Sequence, residues 1–209
     1  MKPLLLDLFC GAGGAAMGYH RAGFEVVGID IKHQPRYPFA FRRGDAMQPS
    51  DWLEALNGRW PDAIHASPPC QAYTKAWRIR ANDHVDLIER TRQLLVASDV
   101  PWVIENVPGS PLLDPVTLCG LMFGLGVDRD RGFESSVHLP QPDHPKHPRK
   151  TKMGRPPQPG TIMQVVGNFS GVSQAREAMD IPWMVRDELR EAIPPAYTEF
   201  VGQQIMAAL

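Results

Sequence analysis

Short apolar runs alternate with helix-like segments through the first half of the chain. The runs at 4–9, 25–29, 63–66 and 102–104 are almost entirely apolar, which is typical of strands that are buried on both faces of a sheet. Residues 13–22, 50–56 and 83–97 lie between them and are predicted to be helical. Strands that alternate with helices indicate right-handed crossovers. The predicted fold class is therefore α/β, a mostly parallel sheet flanked by helices.

The pattern is looser after residue 106. Residues 116–123 are predicted as a short helix, 131–136 and 162–166 as strands, and 174–179, 186–192 and 195–208 as helices. Residues 138–160 are rich in proline and polar side chains, which predicts an extended loop. The length of 209 residues suits a single domain, 1–209, that includes this loop.

Composition narrows the class of protein. A hydrophobic content of 43% and a charged content of 22% are ordinary for a soluble globular protein. Asp7 interrupts the apolar start, and no run approaches the ~20 apolar residues that span a bilayer, so no membrane association is expected. The chain has three cysteines, an odd number, and none are at CxxC spacing; they are Cys10, Cys70 and Cys119. The cysteines therefore indicate neither a disulfide framework nor a zinc knuckle, which fits a reducing cytoplasm.

Basic residues and histidines concentrate in the 138–160 loop. The net charge of −1 does not by itself favour nucleic acid, but residues 146–155 hold five basic side chains and no acid. These are Lys146, Arg149, Lys150, Lys152 and Arg155. They suit phosphate contacts, with solvated loop charge as the alternative. No metal is predicted, because no cysteine or acid lies at finger spacing from His138, His144 and His147.

Residues with chemical potential follow the predicted strands. A glycine-rich block, Cys10-Gly11-Ala12-Gly13-Gly14, follows the first strand, and Asp30 ends the second. Pro68-Pro69-Cys70-Gln71 follows the third strand, and Glu105-Asn106 follows the fourth. Ligands of open parallel sheets gather at the carboxyl ends of the strands. We therefore expect these blocks to meet in one site.

The glycine block is typical of a cofactor site. Gly11 and Gly13 would let backbone amides approach a ligand at the N-terminus of the next helix, although a tight turn alone also needs small residues. The GxxxxGK spacing of a nucleoside triphosphate site is absent from the sequence. Asp30 suits a ribose diol, and Asp45 suits an adenine amino group.

In this order, the blocks Asp7-Leu8-Phe9-Cys10-Gly11, Pro68-Pro69-Cys70-Gln71 and Glu105-Asn106-Val107 resemble the DNA cytosine-C5 methyltransferases. Phe133-Glu134-Ser135 and Ile193-Pro194-Pro195-Ala196-Tyr197 are similar to the short members encoded by phages and prophages. The resemblance extends from residue 7 to about residue 202. It implies a Rossmann-like, S-adenosylmethionine-dependent methyltransferase that acts on C5 of cytosine in DNA, in a bacterial or phage-infected cell.

The resemblance also implies roles for individual residues. Cys70 would add to C6 of the base, Glu105 would act as an acid with a raised pKa, and Arg129 and Arg131 would bind the base. The family pattern is Gln-x-Arg-x-Arg, and Val127 stands at the glutamine position. The expected cofactor-binding residues are Asp7, Phe9, Gly11, Gly13, Asp30, Ile31, Asp45, Ala46 and Pro69. The expected substrate-binding residues are Pro69, Gln71, Lys75, Arg78, Arg80 and Asn106.

Three alternatives remain open at this point. The chain could methylate cytosine in tRNA, could transfer a larger group from a modified sulfonium donor, or could be a catalytically silent module that binds the cofactor or DNA. Where longer family members carry a target-recognition domain, this chain has only the 138–160 loop. That reduction predicts short or relaxed sequence specificity. The oligomeric state is not indicated by the sequence.

Overall fold

Seven strands form one sheet in a computed structural model that describes residues 2–69, 87–152, 154–155 and 158–209. The strands are β1 (Leu4–Leu8), β2 (Glu25–Asp30), β3 (Ala40–Arg43), β4 (Ala63–Ala66), β5 (Trp102–Asn106), β6 (Val116–Leu118) and β7 (Arg131–Ser135). Their order across the sheet is β3-β2-β1-β4-β5-β7-β6. The first five strands in this order are parallel, and β7 is antiparallel to both of its neighbours. The predicted α/β class and mostly parallel sheet are confirmed.

Helices lie on both faces of the sheet. They are α1 (Gly14–Ala22), α2 (Pro49–Ala55), α3 (Ile88–Ala97), α4 (Val172–Met179), α5 (Arg186–Leu189) and α6 (Pro195–Ala208), with a 3-10 helix at Gly120–Phe123. One core cluster joins α1 and α6 to the sheet around Tyr19 and Tyr197, and a second joins α2 and α3 around Trp52 and Ile104. Every residue of β1 is buried, as expected for a strand covered on both faces. None of the described helices combines the length and the apolar composition that crossing a bilayer requires.

The packing of α1 against α6 positions the glycine-rich turn after β1. A Cβ atom at Gly18 would lie 2.1 Å from the Pro195 carbonyl oxygen, so only glycine permits this approach. The Thr198 hydroxyl donates a hydrogen bond of 2.8 Å to the Ala15 carbonyl. The start of α1 is therefore held against a helix from the other end of the chain.

Several predicted elements were wrong in type or length. Residues 116–118 form an edge strand and only 120–123 are helical, whereas one helix was predicted over 116–123. Predicted strand 162–166 is reduced to isolated bridges at Ile162 and Met163. The helix predicted over 186–192 ends at Leu189. Strand β3 was not predicted. The N-terminal part of the helix predicted over 83–97 lies outside the described residues.

Candidate active site

The carboxyl ends of β1, β2, β4 and β5 border one cavity of about 410 Å³. Gly11, Asp30 and Asp45 line one part of it. Pro69 and Glu105 line another part of the same cavity. A volume of this size suits a small-molecule ligand. The sequence-based expectation that these blocks meet agrees with this geometry.

The turn after β1 exposes backbone to the cavity. Phe9 has a φ of 57°, a left-handed conformation that is uncommon for an aromatic residue and is often found at functional sites. Gly11 has a φ of 50°, and no described atom lies within 4 Å of the position of its missing Cβ. Its amide donates a hydrogen bond of 3.0 Å to Asp30 Oδ2. The open backbone at Gly11 is thus available to a ligand.

Two predicted cofactor residues lie deeper than the turn surface. Gly13 is the N-cap of α1, and a Cβ there would lie 2.6 Å from Pro38 Cδ, so Gly13 serves the close packing of the turn. Asp7 is fully buried and accepts a 3.3 Å hydrogen bond from the Tyr37 hydroxyl. Burial raises the pKa of the Asp7 carboxyl to about 8. Asp7 therefore presents a largely protonated carboxyl beneath the turn at neutral pH.

Two carboxylates face the cavity from the next strand ends. Asp30 Oδ1 accepts a 2.8 Å hydrogen bond from the Lys32 amide, which fixes the carboxylate at the end of β2. Asp45 Oδ1 accepts a 2.9 Å hydrogen bond from the Met47 amide. Ile31 is 67% exposed, and Ala46 is buried beside Asp45. Ile31 and Ala46 both line the cavity, as do the two carboxylates.

The end of β5 holds the segment that precedes Cys70. The Asn106 side-chain amide donates a 2.9 Å hydrogen bond to the Pro68 carbonyl, and its oxygen accepts one from the Val107 amide. Asn106 is buried, so both bonds are shielded from water. Pro69 lines the cavity directly before Cys70 in the sequence. The predicted site residues Cys70, Gln71, Lys75, Arg78 and Arg80 lie outside the described residues.

Glu105 is buried in the wall of the cavity and pairs with Arg131. Arg131 Nε lies 3.0 Å from Glu105 Oε1, and Glu105 is 5% exposed. Burial raises the pKa of the Glu105 carboxyl, although Arg131 and a hydrogen bond with the Ser67 side chain oppose the shift. The direction of this shift agrees with the raised pKa expected from the sequence. A buried carboxyl with a raised pKa is suited to donating a proton or a hydrogen bond.

A buried polar chain that the sequence did not indicate leads to Glu105. The Tyr19 hydroxyl lies 2.9 Å from His65 Nδ1, and His65 Nε2 lies 2.8 Å from the Ser67 hydroxyl. Burial lowers the pKa of His65 to about 3, so the ring is neutral. His65 and Ser67 are two residues apart, which places both side chains on the same side of an extended segment. This spacing does not show that Ser67 contacts Glu105 on another strand.

The sequence profile of the C-5 cytosine-specific DNA methylase family matches residues 4–109, half of the chain. The chain belongs to this family. The matched residues contain β1 through β5, the Pro68-Pro69-Cys70-Gln71 block and Glu105. The predicted family is therefore confirmed.

Individual relatives agree with this assignment. The type II methyltransferase M.HgiGI of Herpetosiphon aurantiacus is 29% identical over 115 residues, which cover 49% of this chain and 88% of that protein. M.HindV of Haemophilus influenzae is 23% identical over 201 residues, 90% of this chain and 62% of that protein. The match spans between 22% and 36% of five further type II methyltransferases. This member of the family is thus similar to only part of most of these relatives.

A solved structure shares the fold along the whole chain. A prophage-encoded protein of E. coli, described as a DNA modification methyltransferase, superposes with a TM-score of 0.70 and covers 99% of each chain. The sequence identity is 14%. This similarity shows that the chain has the same fold as the prophage protein.

The two arginines predicted to bind the base, Arg129 and Arg131, lie in different surroundings. Arg131 lines the cavity, whereas Arg129 is buried and is not among the described residues that line it. Arg129 donates hydrogen bonds of 2.6 Å to the Val165 carbonyl and 2.8 Å to the Arg190 carbonyl. Arg129 therefore contacts the segment that contains the cavity residue Arg190, whereas Arg131 lines the cavity itself.

The segment before α6 supplies cavity residues that sequence reasoning did not assign. Glu188, Arg190 and Glu191 line the cavity together with Ile193. Glu188 is held by Arg36 at 3.3 Å. No contact was predicted for Arg190 or Glu191. Their nearness to the cavity depends on the packing of α6 against α1, which local sequence does not show.

The basic residues of the 138–160 loop form a second surface. Arg149, Lys152 and Arg155 line an open cavity of about 510 Å³, together with Lys150. Lys150 Nζ also lies 2.7 Å from Asp128 Oδ2, so part of its charge is paired within the protein. The other three cations are therefore the better candidates for contacts with a polyanion.

Proposed function

We propose that this chain transfers a methyl group from S-adenosylmethionine to C5 of cytosine in DNA, through a covalent bond between Cys70 and C6 of the base. The observation that carries the proposal is the shared cavity, in which the carboxylates expected for the cofactor and the Glu105–Arg131 pair face one space. A reaction between a bound cofactor and a bound base requires such a common space.

The residues present fit S-adenosylmethionine. Gly11 offers open backbone, Phe9 offers an aromatic surface, and Asp30 and Asp45 offer carboxylates at the ends of neighbouring elements. Acidic rather than basic groups suit a cofactor that has no phosphate and carries positive charge. Asp30 would bind the ribose diol and Asp45 the adenine amino group. When bound, this cofactor supplies an electrophilic methyl group.

Cys70 would activate the base. Cytosine C5 is a poor nucleophile, and addition of the Cys70 thiolate to C6 makes C5 an enamine-like carbon that accepts the methyl group. Loss of the C5 proton to a base and expulsion of the Cys70 thiolate then restore the aromatic ring. Burial near Asp7 raises the pKa of the Cys10 thiol well above its usual range, so Cys10 is not suited to this role.

Glu105 would assist the addition step. A protonated Glu105 can donate a hydrogen bond to N3 as negative charge develops on the ring. Arg131 would orient Glu105 and contact the base, and Asn106 would hold the Pro68 carbonyl and hence the approach to Cys70. C5 lies inside the stacked duplex, so the target base must be extruded or presented on a single strand.

The DNA would lie across the cavity mouth and the 138–160 loop. Arg149, Lys152 and Arg155 would contact phosphates, together with Lys75, Arg78 and Arg80 near Cys70. In this arrangement residues 1–209 act as one methyltransferase domain, and the 138–160 loop takes the place of a larger recognition domain. Few side chains of this loop can reach base edges, which supports short or relaxed specificity.

The decisive experiment uses tritiated S-adenosylmethionine with separate pools of duplex DNA, single-stranded DNA, tRNA and free nucleotides. We expect label in DNA, as 5-methylcytosine. DNA that carries 5-fluorocytosine should trap a covalent adduct. Fluorine replaces the C5 proton and cannot be removed by a base, so the Cys70 thiolate is not expelled. Cys70→Ala should abolish both signals and retain cofactor binding, whereas Cys10→Ala should retain the adduct. Label confined to tRNA, or an adduct with Cys70→Ala, would contradict the proposal.

A further inference from the structure

Four side chains with metal-binding atoms converge beside β7, away from the cavity. They are Cys119, Asp130, His144 and His147, and their ligand atoms all lie within 4.8 Å of one another. Cys119 precedes the 3-10 helix, Asp130 precedes β7, and both histidines belong to the 138–160 loop. The four residues therefore come from three segments that are distant in sequence, a grouping that spacing along the chain did not indicate.

The distances between these ligand atoms fit a tetrahedral ion. Bonds of about 2.3 Å to sulfur and about 2.05 Å to nitrogen place those ligand atoms roughly 3.5 Å apart, and two such nitrogens roughly 3.3 Å apart. Cys119 Sγ lies 3.7 Å from His147 Nε2, and His147 Nε2 lies 3.1 Å from His144 Nε2. The ligand atoms thus already have nearly the spacing that an ion at their centre would impose.

An outer carboxylate orients one of the histidines. His147 Nδ1 lies 2.9 Å from Asp128 Oδ1, and Asp128 is 8% exposed at its side chain. When His147 donates its Nδ1 proton to this carboxylate, the lone pair of Nε2 faces the other three ligands. Histidines that bind a metal usually donate their second ring nitrogen to a carboxylate in this way.

We propose that Cys119, Asp130, His144 and His147 bind one zinc ion in a closed, structural site. One thiolate, two imidazoles and one carboxylate are a ligand set that suits zinc, and four protein ligands leave no open position for catalysis. On binding, the Cys119 thiol releases its proton to solvent as the sulfur–zinc bond forms. The opposing interpretation is a metal-free polar cluster in which one histidine donates to the other.

The proposed ion has a specific structural role. Asp130 lies between Arg129 and Arg131, and His144 and His147 precede the basic residues Arg149 and Lys152. The ion would therefore connect the 138–160 loop, through His144 and His147, to the residue before β7. The first residue of β7, Arg131, pairs with Glu105. The Lys150–Asp128 ion pair of 2.7 Å lies at the same junction. Zinc would thus couple the loop to the wall of the active site.

The experiment measures bound metal in protein prepared without a polyhistidine tag or chelator, from zinc-supplemented medium. We expect about one zinc per chain in the wild type by elemental analysis. Cys119→Ser, His147→Ala and the milder Asp130→Asn should each lose most of it. His138→Ala is the matched control, because His138 belongs to the same loop but not to the cluster, and it should retain the ion.

Two further readouts keep the test independent of folding and activity. Cobalt-substituted wild type should show the strong visible bands of tetrahedral cobalt and a thiolate charge-transfer band, which Cys119→Ser should remove. Chelation should lower the melting temperature of the wild type and of His138→Ala, but not that of Cys119→Ser. Wild-type protein that carries no zinc, with a cobalt spectrum of hydrated cobalt, overturns the proposal. So does a full zinc content in Cys119→Ser and His147→Ala.

Discussion

The Asn106 side-chain amide donates a hydrogen bond to the Pro68 carbonyl across 2.9 Å, which joins the end of β5 to the end of β4. Glu105 precedes Asn106 on β5, and Cys70 follows Pro68 by two residues. One buried amide thus joins the residue after Glu105 to the segment that precedes Cys70 in the sequence. We therefore expect this bond to position Pro68 relative to Glu105.

Replacement of Asn106 by alanine should therefore slow catalysis more than it weakens cofactor binding. Loss of a buried hydrogen bond costs about 1–3 kcal/mol, and misplacement of a reacting group by about 1 Å can cost roughly 10²-fold in rate. Adduct formation with 5-fluorocytosine DNA should slow, while the dissociation constant of S-adenosylmethionine changes little. Ser110→Ala, which removes a hydrogen bond from the next turn, is the control and should leave the adduct rate unchanged. An unaltered adduct rate in Asn106→Ala would refute the coupling.

Substitution of Glu105 should mainly lower turnover, whereas substitution of Asp30 should mainly weaken cofactor binding. Glu105→Gln removes a positioned acid and should lower kcat by ~10²–10⁴ with little effect on cofactor binding. Asp30→Asn weakens a charged acceptor and should raise the cofactor dissociation constant by roughly tenfold to a hundredfold, since such hydrogen bonds contribute about 1.5–3 kcal/mol. Calorimetry and single-turnover assays distinguish the two effects. The reverse pattern would exchange the two assignments.

Asp7 should make the protein less stable as pH rises through neutrality. Its pKa is raised from 3.8 to about 8, so the folded state holds a proton that the unfolded state releases. Stability therefore falls between about pH 4 and pH 8. His65 acts in the opposite sense, because its pKa is lowered from 6.5 to about 3 and the unfolded state binds the extra proton. The two effects oppose one another below pH 6.5, and only that of Asp7 remains above it.

Urea unfolding of the cofactor-free protein tests this arrangement. Between pH 6.5 and 8, deprotonation of Asp7 should lower the free energy of unfolding by about 2 kcal/mol. The slope is about 1.36 kcal/mol per pH unit for each proton that the folded state retains. Asp7→Asn should abolish that decline and reveal a loss of stability below pH 6.5 from His65. The exposed Asp99 also has a left-handed conformation, which asparagine tolerates, and Asp99→Asn should follow the wild-type profile. Parallel profiles for wild type and Asp7→Asn would show that Asp7 is not protonated in the fold.

The basic loop should contribute affinity for DNA without sequence preference. Replacing Arg149, Lys152 and Arg155 by alanine should weaken binding to all sequences. The slope of log affinity against log salt should become shallower by about 2–3, close to 0.9 for each phosphate that the variant no longer neutralises. Arg59→Ala removes an exposed cation paired with Glu25 at the start of β2 and serves as the control. A triple variant with altered sequence preference and an unchanged salt slope would indicate base contacts instead.

Local sequence predicted the elements whose burial is nearly complete. Strands β1, β2, β4 and β5 were predicted because central parallel strands are apolar throughout, and the start of α6 was predicted from Pro195. Edge strands lack this signal. Strand β3 reads Ala-Phe-Arg-Arg and exists through its pairing with β2, and residues 116–118 pair with β7 although their spacing resembled a helix.

The site residues also divide into those that local sequence predicts and those that depend on contacts between distant segments. Asp30 and Glu105 were predicted because strand ends of a parallel sheet converge, whereas Asp45 was predicted as a carboxylate that suits an adenine amino group. Contacts between distant segments were not predictable from spacing. Arg129 contacts the Arg190 carbonyl, and Ser67 bonds with Glu105 on another strand. Cys119 lies near two histidines of the 138–160 loop.

The hydrogen bond from Thr198 to the Ala15 carbonyl spans 183 residues and has a consequence for synthesis on the ribosome. Strand β1 and the glycine turn are synthesised long before the helix that packs against Gly18. A nascent chain that lacks this helix has no Thr198 hydroxyl to donate to the Ala15 carbonyl at the start of α1. We therefore expect the turn after β1 to reach its final conformation only after α6 has been synthesised.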